Sequence, residues 1–186
     1  MIIKLIGLTG KKQVGKDTAA EMLIAQFDNE GYKYCEFAFA DALKAEVSLA
    51  TGAPLEVIKE QKEAFRPVLQ WWGTDFRRNM FGRQYWVQKV FEKMGWAAKS
   101  LKEDDKAVFI IKDVRFAEEL QFIKRSGGVI IRIERDNGQL NLPIDTHASE
   151  VALDGVGVDY VVRNNGTFVD LNGELSFIVD ELVEEV

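Results

Sequence analysis

The sequence predicts an α/β domain built on a five-stranded, mostly parallel sheet with flanking helices. Three observations carry that expectation. Five short apolar, β-branched-rich runs recur along the chain; the stretches between them show helical periodicity or turn residues; and a glycine-rich loop, GLTGKKQVGKDT at residues 7–18, directly follows the first run. Short apolar runs alternating with helical segments are the pattern of strands buried on both faces of a parallel sheet.

The first run, residues 2–8, reads as such a strand. Behind the loop, Ala19, Ala20, Met22, Leu23 and Phe27 recur at helical spacing, so residues 17–27 read as a helix. Strand, glycine loop, helix is the order a phosphate cradle needs. Gly10, Gly15 and Lys16 match G-x-x-x-x-G-K, in which backbone N–H groups face phosphate oxygens and the lysine reaches the outer phosphates. The Ser or Thr that closes the pattern is replaced by Asp17, with Thr18 next. A carboxylate there repels phosphates unless a cation intervenes, so this reading commits the site to Mg2+, a hard cation suited to carboxylate oxygen or its bound water. Thr18 would then cap an inner phosphate, and Lys11 and Lys12 would add cations for a triphosphate. The alternative is a plain strand-to-helix turn, with Asp17 a first-turn acid favoured by the helix dipole.

The second strand is expected at residues 34–40 and the third at 107–112. Between them lies an insertion, residues 41–105, which holds Trp71, Trp72, Trp86 and Trp96 and reads as helices broken at Gly52, Pro54, Pro67 and Gly82. The third strand ends in IIKDVRF. That places Asp113 and Arg115 at the carboxyl edge, where open α/β sheets bind ligands. Asp113 can hold Mg2+ through water or accept a proton, and Arg115 can grip a phosphate with both guanidinium arms; a structural Asp–Arg pair is the competing reading. The remaining strands are expected at 129–134 and 158–163. Residues 135–146, with Asn137, Gly138, Asn141 and Pro143, read as a surface loop able to close over a site. The chain is thus expected to be one domain, with a core at 1–40 and 106–186 and the insertion at 41–105.

Composition narrows the classes. At 186 residues one domain can bury a sizeable core, and a net charge of −6 leaves no Lys/Arg surplus for a nucleic-acid binder. The one cysteine, Cys35, permits no internal disulfide, and the one histidine, His147, builds no His cluster. The amino terminus lacks a signal-peptide pattern and no apolar run reaches membrane-spanning length, so a cytoplasmic protein that binds neither membrane nor nucleic acid is expected.

Seven segments, GKKQVGKDT, FADALK, LQWWGTDFRR, DVRF, GGVIIRIER, DTHASE and NNGT, are spread in order along nearly the whole chain, from residue 10 to residue 167. Together they resemble the phage-type deoxynucleoside monophosphate kinases, which likewise place Asp after the loop lysine. The resemblance implies the nucleoside-monophosphate-kinase version of the P-loop NTPase fold. It also implies phosphoryl transfer from ATP, with Mg2+, to a deoxynucleoside monophosphate in the host cytoplasm, residues 41–105 as the monophosphate-binding region and 135–146 as the lid.

Within that region Lys44, Arg66, Arg77 and Arg78 supply cations for a monophosphate. Gly73, Thr74 and Trp86 are candidates for base and sugar. Adjacent residues on a helix point apart, so one of Arg77 and Arg78 is expected to face substrate and one of Trp71 and Trp72 to pack inward. Glu118 would orient Arg115 or meet a sugar hydroxyl, unless it is an ordinary first-turn acid. His147 is discounted as a base, because transfer to an ionised phosphate relies on positioning and charge neutralisation. Asp145, Ser149 and Glu150 are expected to cap the helix after the lid, and Arg135 and Arg132 to meet transferring phosphates. Asn164, Asn165 and Gly166 make a turn whose amides, Asn165 above all, either touch the donor adenine or serve the turn alone. A homodimer is possible. The competing functions are a kinase of another small acceptor, such as a coenzyme-A precursor, and a P-loop ATPase or switch module.

Overall fold

The computed structural model describes residues 1–136 and 147–184. Five strands form one sheet: β1 (Ile2–Thr9), β2 (Lys33–Phe37), β3 (Lys106–Ile111), β4 (Val129–Glu134) and β5 (Tyr160–Arg163). Their order is β2-β3-β1-β4-β5 and every pairing is parallel. The expected fold class holds, with boundaries corrected: the third strand ends at Ile111, the fifth begins at Tyr160, and the largest change is in the second. The second strand stops at Phe37, and Phe39 and Ala40, read as strand, instead open helix α2 (Phe39–Thr51). The run FAFA carries no period that separates strand from helix; the switch is made by Asp113, whose carboxylate accepts the N–H groups of Phe39 (2.8 Å) and Ala40 (2.9 Å). Those are orphan donors of a helix start, and a carboxylate at that end also suits the helix dipole.

Alternation along the strands sends side chains to two cores. Ile6, Leu8, Val108, Ile110, Ile131 and Ile133 pack against helices α1 (Lys16–Asn29) and α9 (Phe168–Glu184). On the other face Leu5, Phe109, Ile111 and Ile130 meet α6 (Tyr85–Lys99) and α7 (Ala117–Arg125). Full burial of each such side chain is worth about 1.5–3 kcal/mol. At Gly7 helix α7 rides directly on β1, since a Cβ there would lie 2.6 Å from Ile123 Cδ1 and 2.8 Å from Ile130 Cδ1. The crossover from β1 to β2 runs to one side of the sheet and that from β3 to β4 runs to the other, so the carboxyl ends of β1 and β3 border the crevice where such sheets take ligands.

Residues 39–99 are helical: α2, α3 (Leu55–Glu60), α4 (Lys62–Gln70), a π-helix (Trp71–Arg78), α5 (Asn79–Phe81) and α6. Gly52 closes α2, Pro54 precedes α3 and Gly82 follows α5, as the breaker residues suggest. Pro67 does not break its helix; it sits inside α4, which runs straight on into the π-helix. A small third core, Val47, Ile58 and Leu69 with Trp72, holds these helices together. The adjacent tryptophans divide as expected, Trp72 turning inward while Trp71 is 52 % exposed and stacks on Phe76. Helix α8 (Ala148–Val151) completes the set, and no helix among the described residues is long and apolar enough to cross a membrane.

The π-helix is held from inside by Glu46 of α2. Its carboxylate accepts Arg77 Nε (2.7 Å), Trp72 Nε1 (3.0 Å) and the Tyr85 hydroxyl. Burial pushes this carboxyl up, but the three donors together hold it below its ordinary value. The Arg77 guanidinium is also ringed by Trp72, Phe76, Phe81 and Tyr85, with its centre 4.9–5.7 Å from their ring centroids. Glu46→Ala leaves that cation enclosed without a counter-charge. It is expected to cost about 2 kcal/mol or more in a urea unfolding titration, against a few tenths for an exposed acid such as Glu92.

Candidate functional site

The loop after β1 is held open by its backbone. Gly10 (φ 138°), Gln13 (φ 64°) and Gly15 (φ 99°) all lie in the left-handed half of conformational space, and a Cβ on Gly10 or Gly15 would strike the Ile133 carbonyl oxygen or the Asn164 amide respectively. Asn164, left open between an adenine contact and a turn role, donates from its Nδ2 to the Val14 carbonyl (2.8 Å) and props the loop from below. Lys16 lies over the loop, its Nζ donating to the carbonyls of Gly10 (2.8 Å) and Lys11 (2.7 Å). Helix α1 starts at Lys16 without a capping side chain, so its first N–H groups face the loop, with Thr18 half-buried in that first turn. Such a helix start, joined to an ammonium, is an anion site.

A cleft of about 400 Å³ opens between this loop and the insertion. It is lined by Lys12, Lys16 and Asp17 from the loop side, by Lys44, Lys62, Arg66, Gly73, Thr74, Arg78 and Trp86 from the insertion, and by Asp113 and Arg115 from the turn after β3. Most of the residues expected from sequence therefore meet in one place. Burial pulls the Lys62 amine below its ordinary value, and the nearby cations of Lys44, Arg115 and Arg66 pull the same way, while Asp17 opposes them. Four cations close enough to repel one another want an anion between them. Sequence reasoning missed Lys62, because nothing local separates it from the other 23 Lys and Arg residues among the chain's 24.

The loop and insertion are also tied directly. Glu63 of α4 accepts Arg66 Nε (2.9 Å) and Lys12 Nζ (2.8 Å), and these bonds hold its carboxyl down at about 2. Lys44 keeps a loose pair with Asp41 at 3.8 Å. The Trp86 indole is buried and donates to the Gly73 carbonyl (2.9 Å), so only its ring is offered to the cleft.

Asp113 has a task that the sequence did not disclose. Both its oxygens are engaged at the start of α2, and burial raises its pKa against the pull of those two N–H groups. It borders the cleft as a clamp between β3 and the insertion. Arg77, placed from sequence among the acceptor cations, lies outside the cleft in its aromatic cage; Arg78 takes the inward position. Glu118 likewise lies outside the cleft lining and pairs with Arg78. The acid that meets the Arg115 turn is Glu119, one residue on.

A second cleft, about 460 Å³, lies on the other side of the loop and is lined by Gly10, Lys11, Arg115, Arg132 and Arg135 among others. Arg115 belongs to both clefts, with its guanidinium donating to the Ser149 carbonyl (3.3 Å). Lys11 pairs with Asp154. Arg132 is committed to the carbonyls of Leu153 (3.0 Å) and Val156 (2.7 Å), which fixes the segment after α8. Asn165 exchanges bonds with Asp136 at 2.7 Å each way and pins the end of β4. The cap of α8 is His147 itself, whose Nδ1 accepts Ser149 N (3.2 Å). The expected cap residue Asp145, the expected lid from residue 137 to 146 and the side chain of Glu150 lie outside the described residues.

A cradle for phosphates with its lysine, beside a cation-lined cleft shaped by an inserted helical region, defines a P-loop kinase of a small acceptor. The chain belongs to the deoxynucleotide monophosphate kinase family: the family model described as Deoxynucleotide monophosphate kinase matches residues 42–175. It is 33% identical over 201 residues to the "Putative deoxynucleotide monophosphate kinase" of Acanthamoeba polyphaga mimivirus, covering 95% of this chain and 96% of that one. It is 30% identical over 138 residues to the deoxynucleotide monophosphate kinase of Enterobacteria phage T4, covering 73% of this chain but 54% of the longer phage protein. Among solved structures, an APS kinase of Mycobacterium tuberculosis matches with a TM-score of 0.52 at 11% identity, over 96% of both chains, which supports the fold alone.

Glu119 ties folding stability to pH. Its carboxyl is pushed up to about 7 by burial, against the pull of Arg78 and of Arg115 N. Between about 4.5 and 7 the folded chain keeps a proton that the unfolded chain has released. The stability from that proton is fully present below about 4.5 and lost as pH rises through 7. Urea midpoints measured from pH 4.5 to 8 are expected to show this decline, and Glu119→Gln to flatten it.

Proposed function

We propose that this protein transfers the γ-phosphoryl group of ATP to a deoxynucleoside 5′-monophosphate, giving the diphosphate and ADP. The observation that carries the reading is the convergence of Lys44, Lys62, Arg66 and Arg115 in a cleft that opens onto Lys16 and Asp17. An anionic acceptor would lie there directly beside the donor loop. The names of the mimivirus and phage relatives support deoxynucleotide acceptors.

The residues present suit both donor and metal. The open loop, the uncapped start of α1 and Lys16 fit the phosphates of ATP. Asp17 lines the cleft beside Lys16, and a single carboxylate suits Mg2+, which takes one or two carboxylates and fills its shell with phosphate oxygens and water. Asp17 would hold it from the loop. When bound, Mg2+ neutralises charge on the donor phosphates.

The work of the chain itself is alignment. Backbone N–H groups of residues 10–16 and the Lys16 ammonium hold the donor, while Lys44, Lys62 and Arg66 hold the acceptor phosphate. Arg115, shared by the two clefts, bridges donor and acceptor where charge shifts during in-line transfer. The Trp86 ring and Thr74 bound the space left for base and sugar. No general base is required, because the acceptor phosphate is already largely ionised at neutral pH.

The test is to incubate the protein with Mg-ATP and each of the four dNMPs and four NMPs, and to measure ADP and diphosphate. Diphosphate formation confined to acceptors of this class supports the reading, whereas steady ATP hydrolysis indifferent to every acceptor overturns it. Lys16→Ala is expected to lower turnover by about 10³-fold or more while the chain still unfolds in one cooperative transition. Chelation of Mg2+ by EDTA is expected to stop transfer, and Asp17→Asn to raise the Mg2+ concentration needed for half-maximal rate.

A further inference from the structure

Resting on the activity proposed above, we propose that Glu119 is a positioning residue that locks two arginines of the site, Arg115 and Arg78, into one geometry. Glu119 is 2 % exposed, near the start of α7. One carboxylate oxygen, Oε2, accepts the backbone N–H of Arg115 (2.8 Å) and of Phe116 (3.1 Å). The other, Oε1, accepts Arg78 Nη2 (2.6 Å). A single buried side chain thus joins the turn after β3, which carries Arg115 between the two clefts, to the π-helix, which brings Arg78 to the acceptor cleft.

Arg78 has little other freedom. Its guanidinium lies 3.6 Å from the centroid of the Phe116 ring, and its Nη1 reaches Glu118 and the Arg83 carbonyl (3.2 Å). Its Nε is buried and meets no hydrogen-bond partner among the described residues. A buried donor without a partner is costly, so Arg78 is kept in this position by its other contacts.

The choice of a carboxylate is the informative part. Capping of α7 through the Arg115 and Phe116 N–H groups needs only one side-chain oxygen, and glutamine serves that purpose as well as glutamate. Burying an ionisable carboxyl is expensive unless it is paired. The Arg78 contact offsets part of that expense and links the acceptor side of the site to the Arg115 turn at a defined distance, so that the two arginines address one substrate together.

Glu119→Gln separates the two roles, because its carbonyl oxygen keeps the turn while its amide cannot accept from Arg78. Steady-state kinetics with Mg-ATP and the preferred dNMP are expected to show the KM for dNMP raised about tenfold or more and the KM for ATP within about twofold of the parent. A role in stability alone would lower the unfolding midpoint and leave both KM values in place. In a double-mutant cycle with Arg78→Gln, the pair is expected to match the Arg78→Gln single variant rather than the sum of the two effects. Additive effects, or parental KM values in Glu119→Gln, overturn the proposal. Should Glu119→Gln fail to fold, Arg78→Lys takes its place: it keeps the charge but cannot span both glutamates, and parental KM values for both substrates in that variant again overturn the proposal. A wild-type protein inactive toward every dNMP fails the function proposed above; an active one with unaltered variants fails this inference alone.

Discussion

The parallel pairing of β1 with β3, in register from Ile2 against Lys106 to Gly7 against Ile111, is the constraint on which the site depends. It brings two loops more than ninety positions apart in sequence to the same edge. The turn after β3 is then stitched to both neighbours, Val114 N to the Leu8 carbonyl (3.0 Å) and Lys112 N to the Phe37 carbonyl (3.0 Å). From that anchored turn, Asp113 fixes the start of the insertion and Arg115 reaches the gap between two clefts. A sheet buried on both faces is a stiff frame, and catalytic groups on loops gain their precision from such frames.

Electrostatics are concentrated within a chain whose overall balance is acidic. With a net charge of −6, the protein still gathers Lys12, Lys16, Lys44, Lys62, Arg66, Lys112 and Arg115 along one cavity. Several are held by neighbouring acids: Glu63 receives Lys12 and Arg66, and Glu36 receives Lys112 at 2.5 Å. These partners lower the cost of crowding like charges. With Arg78, eight Lys and Arg residues line the cavity against four acids, Asp17, Asp41, Asp113 and Glu119, and that excess of positive charge favours a polyanion there over a neutral solute.

The sheet was legible because each strand is a short apolar run closed by turn residues, and the loop was legible because its glycines sit at fixed spacing. What escaped the letters was direction. Arg77 and Arg78 are chemically equal in sequence, and their partners in the fold decide between them: Glu46 of α2 takes Arg77 and Glu119 of α7 takes Arg78. Glu118 and Glu119 pose the same problem, settled by which of them faces the core from α7. Phe39 and Ala40 read as strand because the carboxylate that makes them helical lies more than seventy residues away. Pro67 read as a break because proline removes a donor, yet the following turns carry the helix past it. In each case the deciding contact is long-range, where local pattern has no purchase.

The absence of a side chain at Gly7 has a geometric corollary. With Ile123 and Ile130 closed over that position, the thickness of one residue sets how near α7 lies to the central strand. Glu119 rides on the same helix, so this spacing is handed on to the guanidinium of Arg78 some distance away. The first strand therefore acts as a ruler for the acceptor pocket: a single methyl group added beneath α7 would lift its ceiling without touching any residue that lines it.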